Sequence, residues 1–281
     1  MNRFKRRMGA LLLVGLSFVV IPFSVSADST AKVAGLTEPV RDVVLSFDVD
    51  GTLDNIRFKE GDRVKKGEAI IELKKGFEEL EVRRNKMIWD SKVEVESAKV
   101  RSDSLKTVYV STQSLFERTG SVSKEELEKK KLEYDLAEAE YMRLVVTEKR
   151  EEMEFRMSVE KRDKLILRSP INGTITKLLL DEGESCENRQ PVAHVVDTRQ
   201  CIIVCNVEAP LAQNLKKGQN VSLSIPVGFK SLNVTGRLIY VAPVVDKASG
   251  LVMVKAAFDN ASGAVRPGVT GAMFVPVRSK K

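Results

Sequence analysis

Three kinds of hydrophobic pattern follow one another along the chain. Short apolar or alternating runs, bounded by Gly, Asp and Asn, occupy roughly residues 40–73 and return at 165–198, which is strand spacing. Between them, residues 76–164 hold no proline, and after Gly76 the only glycine is Gly120. This stretch is dense in Glu, Lys and Arg and repeats its apolar residues at three and four, which predicts two helices. The first would carry Phe77, Leu80, Met87, Ala98, Leu105, Val108 and Leu115 on one stripe, with polar lapses at Arg84, Ser91, Glu94 and Arg101. The second would carry Leu127, Tyr134, Tyr141 and Phe155, interrupted by Glu148. Gly120 fits a helix C-terminal cap, and Ser123 with Glu126 three residues on fits a capping box. The pattern predicts an antiparallel coiled coil with a narrow seam, about 60–66 Å long. Beyond residue 199 the chain is β-rich again, in CIIVCNV, NVSLSIP, LNVTGRLIYV, LVMVKAAFD and TGAMFVPV, with one short helix expected at LAQNLKKG. These runs describe a small β-barrel.

The two strand-rich segments that flank the helices are copies of one another. Asp50 to Leu73 lies over Asn172 to Val195 at a constant offset of 122 residues. Gly51/Gly173, Thr52/Thr174, Glu60/Glu182 and Gly61/Gly183 are identical, and Leu53/Ile175, Ile56/Leu178 and Ile70/Val192 keep their character. Each copy reads as strand, glycine turn, short strand, strand. The turns at Gly61 and Gly183 demand positive φ, with Gly51, Gly173 and, in the barrel, Gly268 as further structural turn positions. Neither half has enough apolar surface to stand alone, so the two are expected to pack face to face as a flattened sandwich.

Charge at first suggests an anionic partner, since 46 Lys+Arg against 39 Asp+Glu give +7. Four of the positive charges, Arg3, Lys5, Arg6 and Arg7, lie in the first 27 residues, which hold no acid, leaving about +3 on the rest. The remainder is spread over a balanced coil surface, and aromatics make up only 6%, so no nucleic-acid partner is read. The first 27 residues themselves read as a cleaved export signal: MNRFKRR, then an apolar run of about 16 residues, then Val25 and Ala27 at the small-residue positions before Asp28. An uncleaved anchor is the competing reading, but the run is short for a bilayer span and Pro22 interrupts it.

Export makes the cysteines worth testing. Cys201 and Cys205 lie four apart on one strand, about 13 Å from each other, too far for a disulfide or a shared metal. Cys186 falls opposite Val64 in the repeat and reads as a core residue. His194, the only histidine, stands in a strand run without a nucleophile motif, and the carboxylates lie on the coil surface, so neither catalysis nor a metal or cofactor is expected.

The order of export signal, EGDRVKKGE half, helical hairpin, LRSPINGTI and DEGE half, LKKGQNV turn and RPGVTGAMFVPV resembles the periplasmic adaptor, or membrane fusion, proteins of HlyD-like export systems, in a short form. The resemblance covers about residues 40–277. It implies a mainly β fold with a long α-helical hairpin: a split lipoyl-like β-sandwich, an antiparallel coiled-coil hairpin and a small β-barrel. The expected divisions are 1–27 signal peptide, 28–75 N-terminal strand and first lipoyl-like half, 76–164 hairpin, 165–198 second half, and 199–281 barrel. It further implies a non-enzymatic subunit in the periplasm, held at the inner membrane through partners. Those partners would be an inner-membrane transporter, of ABC or RND type, further copies of the chain, and an outer-membrane duct reached by the hairpin tip. Coupling through the barrel–sandwich connections near Leu36 to Asp42 and Asp197 to Gln200 belongs to the same expectation. Duct-docking relatives carry Arg, then Leu four residues on, then Ser seven after that; anchored on Ser123 those positions are Thr112 and Phe116, so only the serine matches. The tip residues for partner binding are therefore read as Leu115, Phe116, Arg118 and Ser123. Two rivals stand beside this reading: an exported coiled-coil binding module without a transporter, and a lipoyl or biotin carrier modified at Lys74 or Lys75, although those lysines lead straight into helix.

Overall fold

The computed structural model describes residues 30–277; residues 1–27, read from the sequence as an export signal, lie outside the described residues. Two β-structures share a pair of long strands, and a helical hairpin grows from one of them. Strand β1 (Thr30–Ser46) and strand β8 (Pro191–Glu208) run antiparallel through both bodies. Their outer halves close a six-stranded barrel in the order β1, β12 (Thr270–Pro276), β9 (Asn220–Val227), β10 (Lys230–Val241), β11 (Leu251–Asp259), β8. Alternate residues of these strands point inward, and Ile203, Leu223, Ile225, Leu238, Val254 and Met273 fill the core. The short helix α4 covers Ala209–Ala212, two residues ahead of the sequence expectation. Pro210 is tolerated in its first turn, and the following residues turn at Gly218, whose N–H donates to Leu238 O at 2.7 Å.

The inner halves of β1 and β8 belong to the sandwich, where the repeat is visible in three dimensions. Strands β2 (Gly51–Ile56), β3 (Arg63–Val64) and β4 (Ala69–Leu73) recur as β6 (Gly173–Leu178), β7 (Ser185–Cys186) and the start of β8. Strand β5 (Ile166–Arg168) matches the end of β1. The halves do not pack as one sheet against another, which corrects the sequence expectation. They exchange strands: one sheet runs β1-β8-β6-β3 and the other β5-β4-β2-β7, so each takes strands from both copies. The turns enforce the exchange, because each glycine turn hydrogen-bonds the opposite copy. Gly61 N–H donates to Ile175 O at 2.8 Å, and Gly183 N–H donates to Leu53 O at 2.9 Å. The identical glutamates do the same: Glu182 Oε1 accepts from Ile56 N–H at 2.7 Å and Glu60 Oε1 from Leu178 N–H at 2.9 Å. Leu53, Ile70, Ile71, Leu73, Ile175 and Val192 form the shared core, with Cys186 and Val64 both buried in it. One copy departs from the rule. Arg189 holds φ 62° where the other copy has Gly67 at φ 85°.

The hairpin leaves the sandwich from adjacent strands, β4 and β5. It comprises three helices where two are expected: α1 (Gly76–Asp90), α2 (Val93–Thr119) and α3 (Lys124–Asp163). Asp90 and Ser91, which compete for backbone hydrogen bonds, end α1, with Ser91 in an extended conformation. The break shifts the phase of the seam. In α2 it follows the predicted Ala98 and Leu105, but in α1 it follows Val82, Asn85 and Trp89 instead of Phe77, Leu80 and Met87. Val108 and Leu115, also predicted inside, are exposed. Trp89 stacks on Phe155 of α3 with centroids 5.3 Å apart, and Tyr109 stacks on Tyr134 at 6.1 Å. The 40 residues of α3 make a rod of about 60 Å.

Candidate docking surfaces

Three regions present chemistry to a partner: the hairpin tip, the sandwich–barrel junction and the outer faces of the hairpin. At the tip, α2 ends on Gly120, which takes the left-handed conformation at φ 62° and donates its N–H to Phe116 O at 3.3 Å. Ser123 caps α3, its hydroxyl accepting from Glu126 N–H at 3.1 Å. That bond occupies the Ser123 side chain in closing the turn. Leu115 and Phe116 are 51% and 36% exposed on the last turns of α2, and Arg118 follows in solvent. Leu115 and Arg118, three apart, share a face, while Phe116 points about 100° around the helix. Of the glycines read as turn positions, Gly61, Gly183 and Gly268 sit in turns, whereas Gly51 and Gly173 open the strands β2 and β6. Gly61, Gly183 and Gly268 hold φ of 93°, 90° and 99°. A Cβ on Gly51 would lie 2.9 Å from Leu73 Cδ1, and one on Gly173 2.7 Å from Val196 O.

At the junction, the β1–β8 ladder is regular up to Pro39 opposite Cys201 and resumes at Arg41 opposite Asp197. A single residue, Val40, therefore spans what takes three residues on β8. The irregularity is bracketed from both strands by the β11–β12 loop. Gly268 N–H donates to Thr37 O at 2.7 Å, and the buried Asn260 amide donates to Thr198 O and to Val265 O, each at 2.9 Å. Beside it, a cleft of about 600 Å³ opens between Arg63, Lys65 and Glu68 of the sandwich and Arg199, Asn260 and Gly263 of the barrel side. Asp197, buried at its edge, receives Arg199 through Nη2 at 2.7 Å and Nε at 3.0 Å. The guanidinium holds the Asp197 carboxyl below the usual carboxylate range, against the opposing effect of burial. A carboxyl lowered on folding contributes stability above its unfolded value, near pH 4, and that contribution fades as pH falls through the lower folded value. Asp197→Asn should therefore cost about 1–2 kcal/mol at pH 7 and progressively less as the pH falls below about 4, read from urea melts across that range.

The other ionisable groups raised by the sequence are structurally occupied. His194 Nε2 contacts the Asp42 carboxylate across β1 and β8. Lys75 joins the Glu72 carboxylate together with Arg57, tying the root of α1 to β4, and its neighbours hold Glu72 below its ordinary value. Cys186, Cys201 and Cys205 are free and buried, and burial pushes the Cys205 thiol up to about 11. Among the described residues no group of His, Cys, Asp or Glu has the arrangement to hold a metal ion.

The outer faces of the hairpin were not read from the sequence. Phe77, Leu80 and Met87 on α1 point away from the seam, and so do Leu132, Leu136, Val146, Met153 and Met157 on α3. Their signal was present as a second three-four spacing on α3, five residues out of phase with Leu127, Tyr134 and Tyr141.

Known proteins share this architecture. The family profile described as RND MFP, barrel-sandwich hybrid domain, matches residues 41–198, and that described as CusB-like, beta-barrel domain, matches 203–278. MacA from Actinobacillus actinomycetemcomitans is similar in structure, with TM-score 0.65 and 20% identity, over 89% of this chain and 79% of that one. ZneB from Cupriavidus metallidurans gives 0.51 and 18% over 89% and 71%. The membrane fusion protein Spr0693 from Streptococcus pneumoniae R6 gives 0.57 and 16% over 89% and 100%. A Haemophilus influenzae protein of uncharacterised function is 23% identical over 82% of this chain, which spans about half the length of that relative.

Proposed function

The chain belongs to the RND-type membrane fusion protein family of efflux adaptors, and from that premise we propose that it is a periplasmic adaptor subunit. In this reading several copies assemble and link an inner-membrane transporter to the cell envelope or to an outer-membrane duct. The observation that carries it is the continuity of β1 and β8 from barrel to sandwich, with the hairpin rooted on the sandwich alone. Such a molecule has a body at one end, a long arm at the other and a single irregular joint between them. The barrel end would meet a transporter of ABC or RND type, and the tip residues Leu115, Phe116, Arg118 and Ser123 would meet a duct. No helix among the described residues is long and apolar enough to cross a membrane, so attachment through partners suits the described part of the chain.

The test is crosslinking in intact cells with a tagged full-length chain, followed by mass spectrometry of what co-isolates. An inner-membrane exporter recovered with the chain supports the reading; a chain crosslinked to no membrane protein overturns it. The same preparation reports the N-terminus, expected at Asp28.

A further inference from the structure

We propose that the end of the barrel farthest from the sandwich is a lipid-docking surface, which lies on the anionic headgroups of a bilayer with the β10–β11 loop pressed into them. The inference rests on the adaptor reading only for its setting, a membrane within reach. The contact itself is argued from this pole, which adds a fourth surface to the three described above. Strand pairing defines the pole. β8 ends there at Glu208, opposite Leu251 at the start of β11, and β1 begins there at Thr30, opposite Pro276 at the end of β12. The antiparallel order of the barrel then places the β10–β11 loop and the α4–β9 loop at the same end.

Positive charge gathers at this end. Lys216 and Lys217 in the α4–β9 loop, Lys247 in the β10–β11 loop and Lys32 near the start of β1 are all exposed. Beyond β12 the sequence continues with Arg278, Lys280 and Lys281, and the acids that belong to this end are Asp28, Glu208 and Asp246. Seven basic residues against three acids exceed the surplus of about +3 that residues 28–281 carry in all, so the rest of the chain is close to neutral. Asp246 is spent on its own turn. Its carboxylate accepts from Ser249 Oγ at 2.7 Å and from the N–H groups of Ser249 and Ala248 at 2.8 and 3.1 Å. That turn closes the loop on which Val244 and Val245 stand 69% and 41% exposed. Beside them a groove of about 580 Å³ runs along Tyr240, Leu251 and Met253. Exposed apolar residues set among basic side chains suit a bilayer interface, where the valines enter the headgroup layer and the ammonium groups meet lipid phosphates. The kind of cation favours lipid over a protein partner: six of the seven are lysines, long flexible point charges that protein interfaces avoid.

Co-sedimentation with protein-free vesicles tests this, using the processed chain, residues 28–281, so that the apolar run before Asp28 plays no part. Vesicles rich in phosphatidylglycerol should bind it at least about tenfold more tightly than vesicles of phosphatidylcholine alone, with affinity falling as salt rises. Lys216→Glu with Lys217→Glu should weaken that binding at least about tenfold, and Val244→Asp with Val245→Asp several-fold. Lys129→Glu with Lys131→Glu makes the same change of charge on the exposed surface of the hairpin and should leave binding within about twofold. Unchanged circular dichroism shows that all three variants fold. No binding, equal binding to both kinds of vesicle, or equal loss from the pole and hairpin lysine variants overturns the proposal. Pole variants that bind vesicles like the parent but lose a co-isolated transporter make this end a protein surface and overturn it too. Vesicle binding involves no transporter, so its failure leaves the adaptor reading standing. A chain that binds vesicles yet crosslinks to no membrane protein sinks the adaptor reading alone.

Discussion

Ile175→Ala is expected to cost about 3–4 kcal/mol and to unfold both copies of the repeat together with the hairpin root. Ile175 is fully buried in the sandwich core, its N–H donates to Asp62 O at 2.9 Å and its carbonyl accepts from Gly61. It therefore holds the opposite half in register as well as filling space. Because each sheet takes strands from both copies, neither copy has a sheet of its own to fall back on. The hairpin follows because α1 and α3 emerge from β4 and β5, joined there by Leu73 N–H to Leu165 O at 2.9 Å. Trp89, the only tryptophan, lies on the root seam, so its fluorescence reports this transition in urea. The barrel has a separate core, and its β9–β12 amides should keep their hydrogen-exchange protection at urea concentrations that release Trp89. Simultaneous loss of both signals would show instead that β1 and β8 weld the two cores into one cooperative unit. Leu53→Ala, at the equivalent place in the other copy, should behave alike.

The largest expected effect in the barrel comes from Gly35→Ala. Gly35 pairs with Gly271 of β12 on one side and Cys205 of β8 on the other, where the barrel closes. A Cβ there would lie 2.3 Å from Cys205 Sγ and 2.6 Å from Val204 O. The first clash involves a side chain and the second involves sheet backbone, which cannot move without breaking the ladder. A loss of about 3 kcal/mol follows, and thermal melts should show it as a lowered barrel transition. Adding Cys205→Ala relieves only the first clash, so it should restore part of the loss at most. Full restoration would mean that the sheet yields at Val204.

The sequence made the sandwich legible because a constant offset of 122 residues carries hydrogen-bonding roles as well as residue types. Glu60 and Glu182 were visible as identical, but only the fold shows each holding the other copy's main chain. The arrangement of the halves was misread because hydrophobicity says which residues go inside and not which sheet a strand joins. On the first helical arm, size misled: Phe77, Leu80 and Met87 are larger than Val82, Asn85 and Ser102, yet the latter three are buried. The break at Asp90 and Ser91 shifts the seam by about one position, from the series through Ala98, Ser102 and Leu105 on α2 to Val82, Asn85 and Trp89 on α1. The tip caps at Gly120 and Ser123 were read correctly because they depend on a few neighbouring residues. Leu115, Phe116 and Arg118 are at the tip in solvent, but spacing alone gives them no partner.

If barrel and sandwich turn against each other at the irregularity between Pro39 and Arg41, the molecule works as a lever. Its short arm is the barrel and its long arm is the sandwich with a rod of about 60 Å. A turn of roughly 5° at that fulcrum would carry the tip through about 5 Å, one helical turn of travel. The Asn260 and Thr37 hydrogen bonds brace the barrel side of that irregularity, so in such a lever the stiffness of the joint would set how far the far end swings.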